Sequence, residues 1–311
     1  MDTMRRSPGR VGVASAPAHH GEILQGVFAG PAGLTRGLVT LPCPLYTSVA
    51  TFVPAPGAGF TVAPAWKGKA LRAVRLALRA VTPPDGPPVG GHLELTGGAP
   101  PGRGFGSSTS DVLAAIRAVR DAFAAPLPAA EAARLAVAAE AASDSLMFEG
   151  STVLFAQREG SVIEDFGRPV PRLRVLGFGS RPTGGGLGVD TLTLPPARYD
   201  RAETERFARL RDMLRDALRT GDLALLGAVA TGSTGINQRQ LPVPGLDRIR
   251  RVVSESGALG LQTAHSGDIA GLLFDPDDPD TGARTALAAT LLRRLGLADQ
   301  WTYTLDRARS G

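Results

Sequence analysis

Apolar residues recur with helical spacing in several stretches of the chain. Leu71, Val74, Leu76, Leu78 and Val81 read as a helix over 70–81, and Phe207, Leu210, Leu214 and Leu218 line one face of a helix over 202–219. Helices are also expected over 108–123, 129–142, 222–236, 246–255 and 282–295. Short apolar or alternating runs with β-branched residues read as strands over 11–16, 38–52, 89–95, 152–155, 161–163, 173–178 and 301–305. Residues 257–274 read as strand, turn, strand. Residues 1–10 read as a basic tail and 54–65, rich in Pro, Gly and Ala, as a loop. Residues 17–26 read as a polar loop containing His19, His20, Gly21, Glu22 and Gln25. Residues 183–191, rich in glycine, read as a mobile loop over a site.

Composition narrows the setting. A chain of 311 residues makes one large domain or two ordinary ones, and 43% hydrophobic residues is ample for a core. Lysine occurs twice, at Lys67 and Lys69, among 34 Lys and Arg, and asparagine once, at Asn237. The arginines are scattered and aromatics are few, so the net charge of +5 does not mark a nucleic-acid partner. One cysteine, Cys43, excludes an internal disulfide and fits a reducing cytoplasm. No apolar run is long enough for a membrane helix. Four histidines and one cysteine, without ligand spacing, argue against zinc.

The chemistry concentrates in Pro100-Pro101-Gly102-Arg103-Gly104-Phe105-Gly106-Ser107-Ser108-Thr109-Ser110-Asp111, between the strand at 89–95 and the helix at 108–123. Glycines permit φ > 0 and remove the Cβ that would hold a ligand away. A glycine loop entering a helix N-terminus offers free N–H groups and the positive end of the helix dipole to an anion. Such a run makes a phosphate cradle or, equally, a capped strand-to-helix turn. GxxxxGK[ST] and GxGxxG are both absent. Asp144, between Ser143 and Ser145, stands at a helix C-terminus, where the dipole disfavours an anion. It serves chemistry or an Asx-turn.

Pro100 to Ser110 resembles the second signature motif of the GHMP kinases, P-x-x-x-G-L-G-S-S-A, with Phe105 for Leu and Thr109 for Ala. The segment from Pro17 to Gly26 resembles the first motif of the L-threonine kinase branch, P-A-S-C-G-E-[LI]-[LI]-Q-G, with His19-His20 for Ser-Cys. Ala264-His265-Ser266-Gly267 resembles the third, with Asp268 where many members carry Gly or Ser. Asn237 lies in a segment resembling the branch's A-N-Q-R, and Ser143-Asp144-Ser145 resembles its S/T-D-S.

The resemblance implies an α+β fold of two domains, a ribosomal-S5-like one over 1–168 and a ferredoxin-like one over 169–311, with ATP and acceptor between them. It implies that Gly102, Gly104, Phe105, Gly106, Ser107, Ser108 and Thr109 hold the ATP phosphates, and that Ser108 and Glu140 hold Mg²⁺. Asp144 becomes the base or orienting carboxylate, one helical turn beyond Glu140 if the helix persists. His19, His20, Glu22, Gln25, Asn237, His265, Ser266 and Gly267 fall to the acceptor, with Glu22 offered to an ammonium group. The acceptor implied is a small alcohol, L-threonine or a related β-hydroxy amino acid, with homoserine as an alternative. A nucleotide-binding protein without turnover and an ATP-dependent decarboxylase are rival readings. No nucleic-acid or membrane partner is expected, and a homodimer is admitted.

Overall fold

Two long strands organise the fold. β1 (Gly12–Gly30) and β2 (Gly33–Pro56) pair antiparallel from Gly12↔Phe52 to Gly30↔Gly33. The computed structural model describes residues 9–30, 33–57, 59–83, 87–181, 198–265 and 267–306. The expected glycine-rich loop at 183–191 lies outside them.

On one side of this pair the sheet continues through β4 (Val89–Gly97) to β3 (Phe60–Ala63), which runs parallel to β4. On the other it continues through β8 (Gly260–Thr263), β9 (Ile269–Phe274) and β7 (Leu173–Gly179) to β10 (Gln300–Leu305). The two halves join at one register pair, Glu22↔Thr263. A hairpin of β5 (Val153–Ala156) and β6 (Ser161–Asp165) attaches to β2 at Leu38↔Phe155.

Three helices cover the first half: α1 (Gly68–Val81), α2 (Ser107–Ala122) and α3 (Ala129–Glu140). Their apolar faces bury Val74, Val112, Ile116 and Ala136 with Phe52 and Leu93 of the sheet. α2 also closes the open edge of β1. Asp121 accepts the Val13 N–H at 3.0 Å, Arg117 donates to the Ser15 carbonyl at 2.9 Å, and Ser110 donates to the Ala16 carbonyl at 2.9 Å. An edge so occupied cannot recruit a foreign strand. In the second half, α4 (Arg201–Thr220) and α5 (Leu223–Ile236) pack Phe207, Leu214 and Val229 against Leu24, Phe28 and Val39. α6 (Leu246–Ser256) and α7 (Thr281–Arg294) pack Ile249 and Leu292 against Leu176, Phe178 and Leu272. The architecture is thus two α+β domains. The division expected at 168/169 falls just before β7, yet β1 and β2 lend apolar residues to the core under α4 and α5.

Three expectations are corrected. Residues 17–26 are strand, not loop: β1 runs through them on bulges at 17/18, 19/22 and 22/24, with Gly21 at φ 65°. Bulges re-aim side chains without ending a strand, so the polar composition misleads there. Residues 54–65 hold the end of β2 and all of β3. β3 lies at the edge of the sheet, where proline-rich neighbours cost no ladder bonds. The helix over 129–142 stops at Glu140, because Ala141 adopts φ 71°. Among the described residues no helix is long and apolar enough to cross a membrane.

The α5–β8 contact is made backbone to backbone. A Cβ on Gly260 would overlap the Gly227 carbonyl of α5, and one on Gly227 would overlap the Leu259 carbonyl. Gly260→Ala is therefore expected to destabilise the protein by about 1–3 kcal/mol, the usual cost of overpacking, read as a lower denaturant midpoint. An unchanged midpoint would show that this contact has slack.

Candidate active site

The glycine loop enters α2 without a side-chain cap and without an acid in the first turn. Gly102, Gly104 and Gly106 have φ of 76°, 99° and 65°. Gly106 occupies the N-cap position, and a Cβ there would overlap the His19 ring. The first N–H groups of α2, at Ser107, Ser108 and Thr109, have no partners earlier in the helix. The loop is clamped from the second domain. A Cβ on Gly267 would overlap the Arg103 carbonyl, and one on Gly104 would lie 2.8 Å from the Ala264 Cβ. Asp268 donates its N–H to the Arg103 carbonyl at 3.1 Å and accepts from Arg103 Nε at 2.9 Å, while Asp299 accepts from Arg103 Nη2 at 2.6 Å. Asp268 therefore faces a loop arginine. Phe105 points the other way, buried against Tyr46 and Trp301.

Carboxylates meet the start of α2. Ser108 donates to Glu140 Oε2 at 2.6 Å. Thr109 Oγ1 lies 2.9 Å from Glu140 Oε1 and 3.1 Å from Asp144 Oδ2. One hydroxyl proton cannot satisfy both acids at once, so the two are electrostatically linked. Burial pushes the Glu140 carboxyl up to about 7, against the hydrogen bonds from Ser108 and Thr109 and the charge of Lys69. Asp144 is not on α3 but in the loop after it, which Ser145 ties to Thr40 Oγ1 at 3.0 Å. Burial would raise its pKa too, but His19 and His265 hold it well below the ordinary range. Its Oδ1 is buried and, among the described residues, unpartnered. The bridging part of the Thr109 side chain was not expected; its only sequence signal is a hydroxyl where the motif carries Ala.

The two histidines diverge. His19 Nε2 lies 2.8 Å from Asp144 Oδ2, at ion-pair distance but without the alignment of a strong hydrogen bond. Nδ1 accepts the Gly21 N–H at 3.1 Å, which selects the Nε2–H tautomer whenever the ring is neutral. Burial opposes a charge on His19, yet Asp144 and, less strongly, Glu22 raise its pKa. His20 points away, among Phe105, Trp301 and Tyr303, and contacts Gln262. Burial lowers its pKa to about 3, so it is a neutral packing residue rather than part of the carboxylate cluster. Neighbours on a strand face opposite ways, which the adjacency of the pair in sequence conceals.

Glu22 is already engaged. Its Oε1 lies 2.8 Å from His265 Nδ1 and its Oε2 accepts the His265 N–H at 2.8 Å. Gln25 lies farther along β1 and Asn237 at the end of α5, where Asn237 Nδ2 donates to the Gln25 carbonyl at 3.0 Å and Asn237 Oδ1 accepts from Tyr199 at 2.7 Å. They pin the end of α5 to β1. Lys67 pairs with Asp111, which also accepts from Ser48 at 2.8 Å and so anchors α2. Ser266 lies outside the described residues.

An uncapped helix start, a glycine loop and a cluster of buried carboxylates and hydroxyls meet in one place. The family model for the GHMP kinases N terminal domain matches residues 68–148, and that for GHMP kinases C terminal matches residues 214–291. The chain belongs to the GHMP kinases. It is 27% identical over 269 residues to the L-threonine kinase of Salmonella typhimurium, covering 85% of this chain and 83% of that one. Its fold is shared with homoserine kinase from Cytophaga hutchinsonii, at a TM-score of 0.67, 14% identity and coverage of 100% and 98% of the two chains. It is also shared with MDDEF in complex with MVAPP, AMPPCP and magnesium, at 0.64, 14%, and coverage of 96% and 98%.

In this GHMP kinase the Glu22–His265 pair links β1 to the turn between β8 and β9, and the linkage has a pH signature. Burial disfavours charge on His265, but Glu22 lifts its pKa to about 9. A histidine raised on folding stabilises most below its ordinary pKa of about 6.5, and that stabilisation fades as pH climbs through 9. Wild type is therefore expected to exceed His265→Gln in stability by on the order of 1–3 kcal/mol near pH 6, with the gap closing toward pH 10. A gap that is constant with pH, measured by denaturant unfolding, would contradict the pairing.

Proposed function

We propose that this GHMP kinase transfers the γ-phosphoryl group of ATP to the hydroxyl of an amino-acid alcohol, L-threonine or a related β-hydroxy amino acid. The observation that carries the reading is the meeting of Ser108, Thr109, Glu140, Asp144 and His19 at the uncapped start of α2. The likeness to an L-threonine kinase over most of both chains supports the acceptor class.

Phosphoryl transfer depends mainly on positioning and on stabilising charge. In this reading the N–H groups from Gly104 to Ser108 take the phosphates. Mg²⁺ favours oxygen ligands, and Ser108 and Glu140 present only oxygen. Burial of Glu140 without a full countercharge also favours a cation beside it. Ser108 and Glu140 would hold the ion, which neutralises phosphate charge when bound. Asp144, held ionised by His19, is a weak base for a free alcohol. Its part is to accept the acceptor's hydroxyl hydrogen bond on the unpartnered Oδ1, aim the oxygen, and take the proton as the O–P bond completes. Glu22 is committed to His265, so its expected role toward an acceptor ammonium gives way to holding that histidine.

ADP release with Mg-ATP should follow addition of L-threonine or a close relative across a panel including L-serine, L-homoserine and mevalonate. Asp144→Asn is expected to lower kcat by about 10²–10⁴-fold, and chelation of the metal to abolish turnover. Preference for mevalonate would reject the acceptor class. ATP binding without acceptor-dependent ADP, indifferent to Asp144→Asn, would instead favour a nucleotide-binding protein.

A further inference from the structure

His265 sits where the three segments of the site close on one another. Its turn straddles the glycine loop: the Ala264 Cβ and the Gly267 Cα would lie 2.8 Å and 3.1 Å from a Cβ on Gly104. Its ring is fixed from behind by Glu22, which takes Nδ1 and the backbone N–H at 2.8 Å each. A ring held by Nδ1 turns its Nε2 edge away from that partner. The side chain keeps 17% of its surface exposed, whereas Glu22 keeps none. Three other cationic groups near the loop are committed. Lys67 pairs with Asp111, Arg103 with Asp268 and Asp299, and His19 with Asp144. Lys69 is exposed and acts on Glu140.

We propose that His265, oriented by Glu22, is a catalytic residue whose Nε2–H stabilises the transferring phosphoryl group. This rests on the kinase reading and adds to it a cation supplied from the second domain. In the step, the acceptor oxygen bonds to the γ-phosphorus and the bond from that phosphorus to the β–γ bridging oxygen breaks. The electron pair leaves with ADP, and the hydroxyl proton passes to Asp144. His265 exchanges no proton; it supplies charge where charge develops. The charged or titratable groups acting on it are Glu22 and His19 from β1 and Asp144 from the loop after α3.

The first arm of the test needs no acceptor. The His265 imidazole is titrated by NMR in the full chain, free and with saturating magnesium and AMPPCP or ADP. The expected result is an upward pKa shift with AMPPCP that exceeds the shift with ADP, because only the former carries a γ-phosphate. Equal or absent shifts would overturn the proposal. The second arm compares His265→Gln with Glu22→Gln, which keeps the imidazole. His265→Gln should lose about 10²–10³-fold in kcat with the acceptor KM within about threefold. Glu22→Gln should move the alkaline limb of the kcat profile to lower pH. A raised acceptor KM with kcat preserved would place His265 on the acceptor's carboxylate and overturn the proposal. If wild type turns over no acceptor, the kinase reading fails, and the AMPPCP shift still decides whether His265 faces the γ-phosphate.

Discussion

Two buried carboxylates within reach of one threonine hydroxyl set the terms for the rest of this site. Glu140 and Asp144 are each more than nine-tenths buried, and Thr109 lies between them. Buried charge is costly unless paired, and the protein meets that cost differently for each acid. Asp144 is kept ionised by two histidines from opposite domains. Glu140 has hydroxyl donors and a distant lysine, and its pKa rises to about 7. In the proposed reading Asp144 is the fixed anion that aims an alcohol and Glu140 the carboxylate that would sit beside a cation.

The topology follows from that requirement. β1 carries His19 to Asp144 and Glu22 to His265, three residues apart, and the bulges on either side of them turn both toward the glycine loop. Gly106 presses on His19 and Gly104 on the turn after β8, so two glycines leave space that side chains from other elements fill. The domains are therefore joined at the site itself, through Glu22–His265 and Arg103–Asp268, as well as through the core that β1 and β2 share with α4 and α5.

The helices and most strands were legible because their apolar periodicity is strong, and the glycine loop because three alternating glycines run into a Ser/Thr-rich helix start. Long-range pairing was not legible. Glu22 read as free for an ammonium because its partner lies 243 residues away. Asp268 read only as a departure from the third motif because its counterion, Arg103, is one of many arginines. His19 and His20 read as equivalent because a polar loop was expected where a bulged strand runs. Lys67, conspicuous in an arginine-rich chain, turns out to secure α2 through Asp111. In each case composition reported the chemistry of a residue correctly and said nothing of which distant group it would meet.

The most direct test of the account is a crystal structure with magnesium and AMPPCP bound. The account predicts the β- and γ-phosphates on the N–H groups at the start of α2, the ion on Ser108 and Glu140, and Asp144 Oδ1 open toward the γ-phosphorus. A nucleotide bound away from the glycine loop, or an Asp144 shielded from the γ-phosphate, would contradict it.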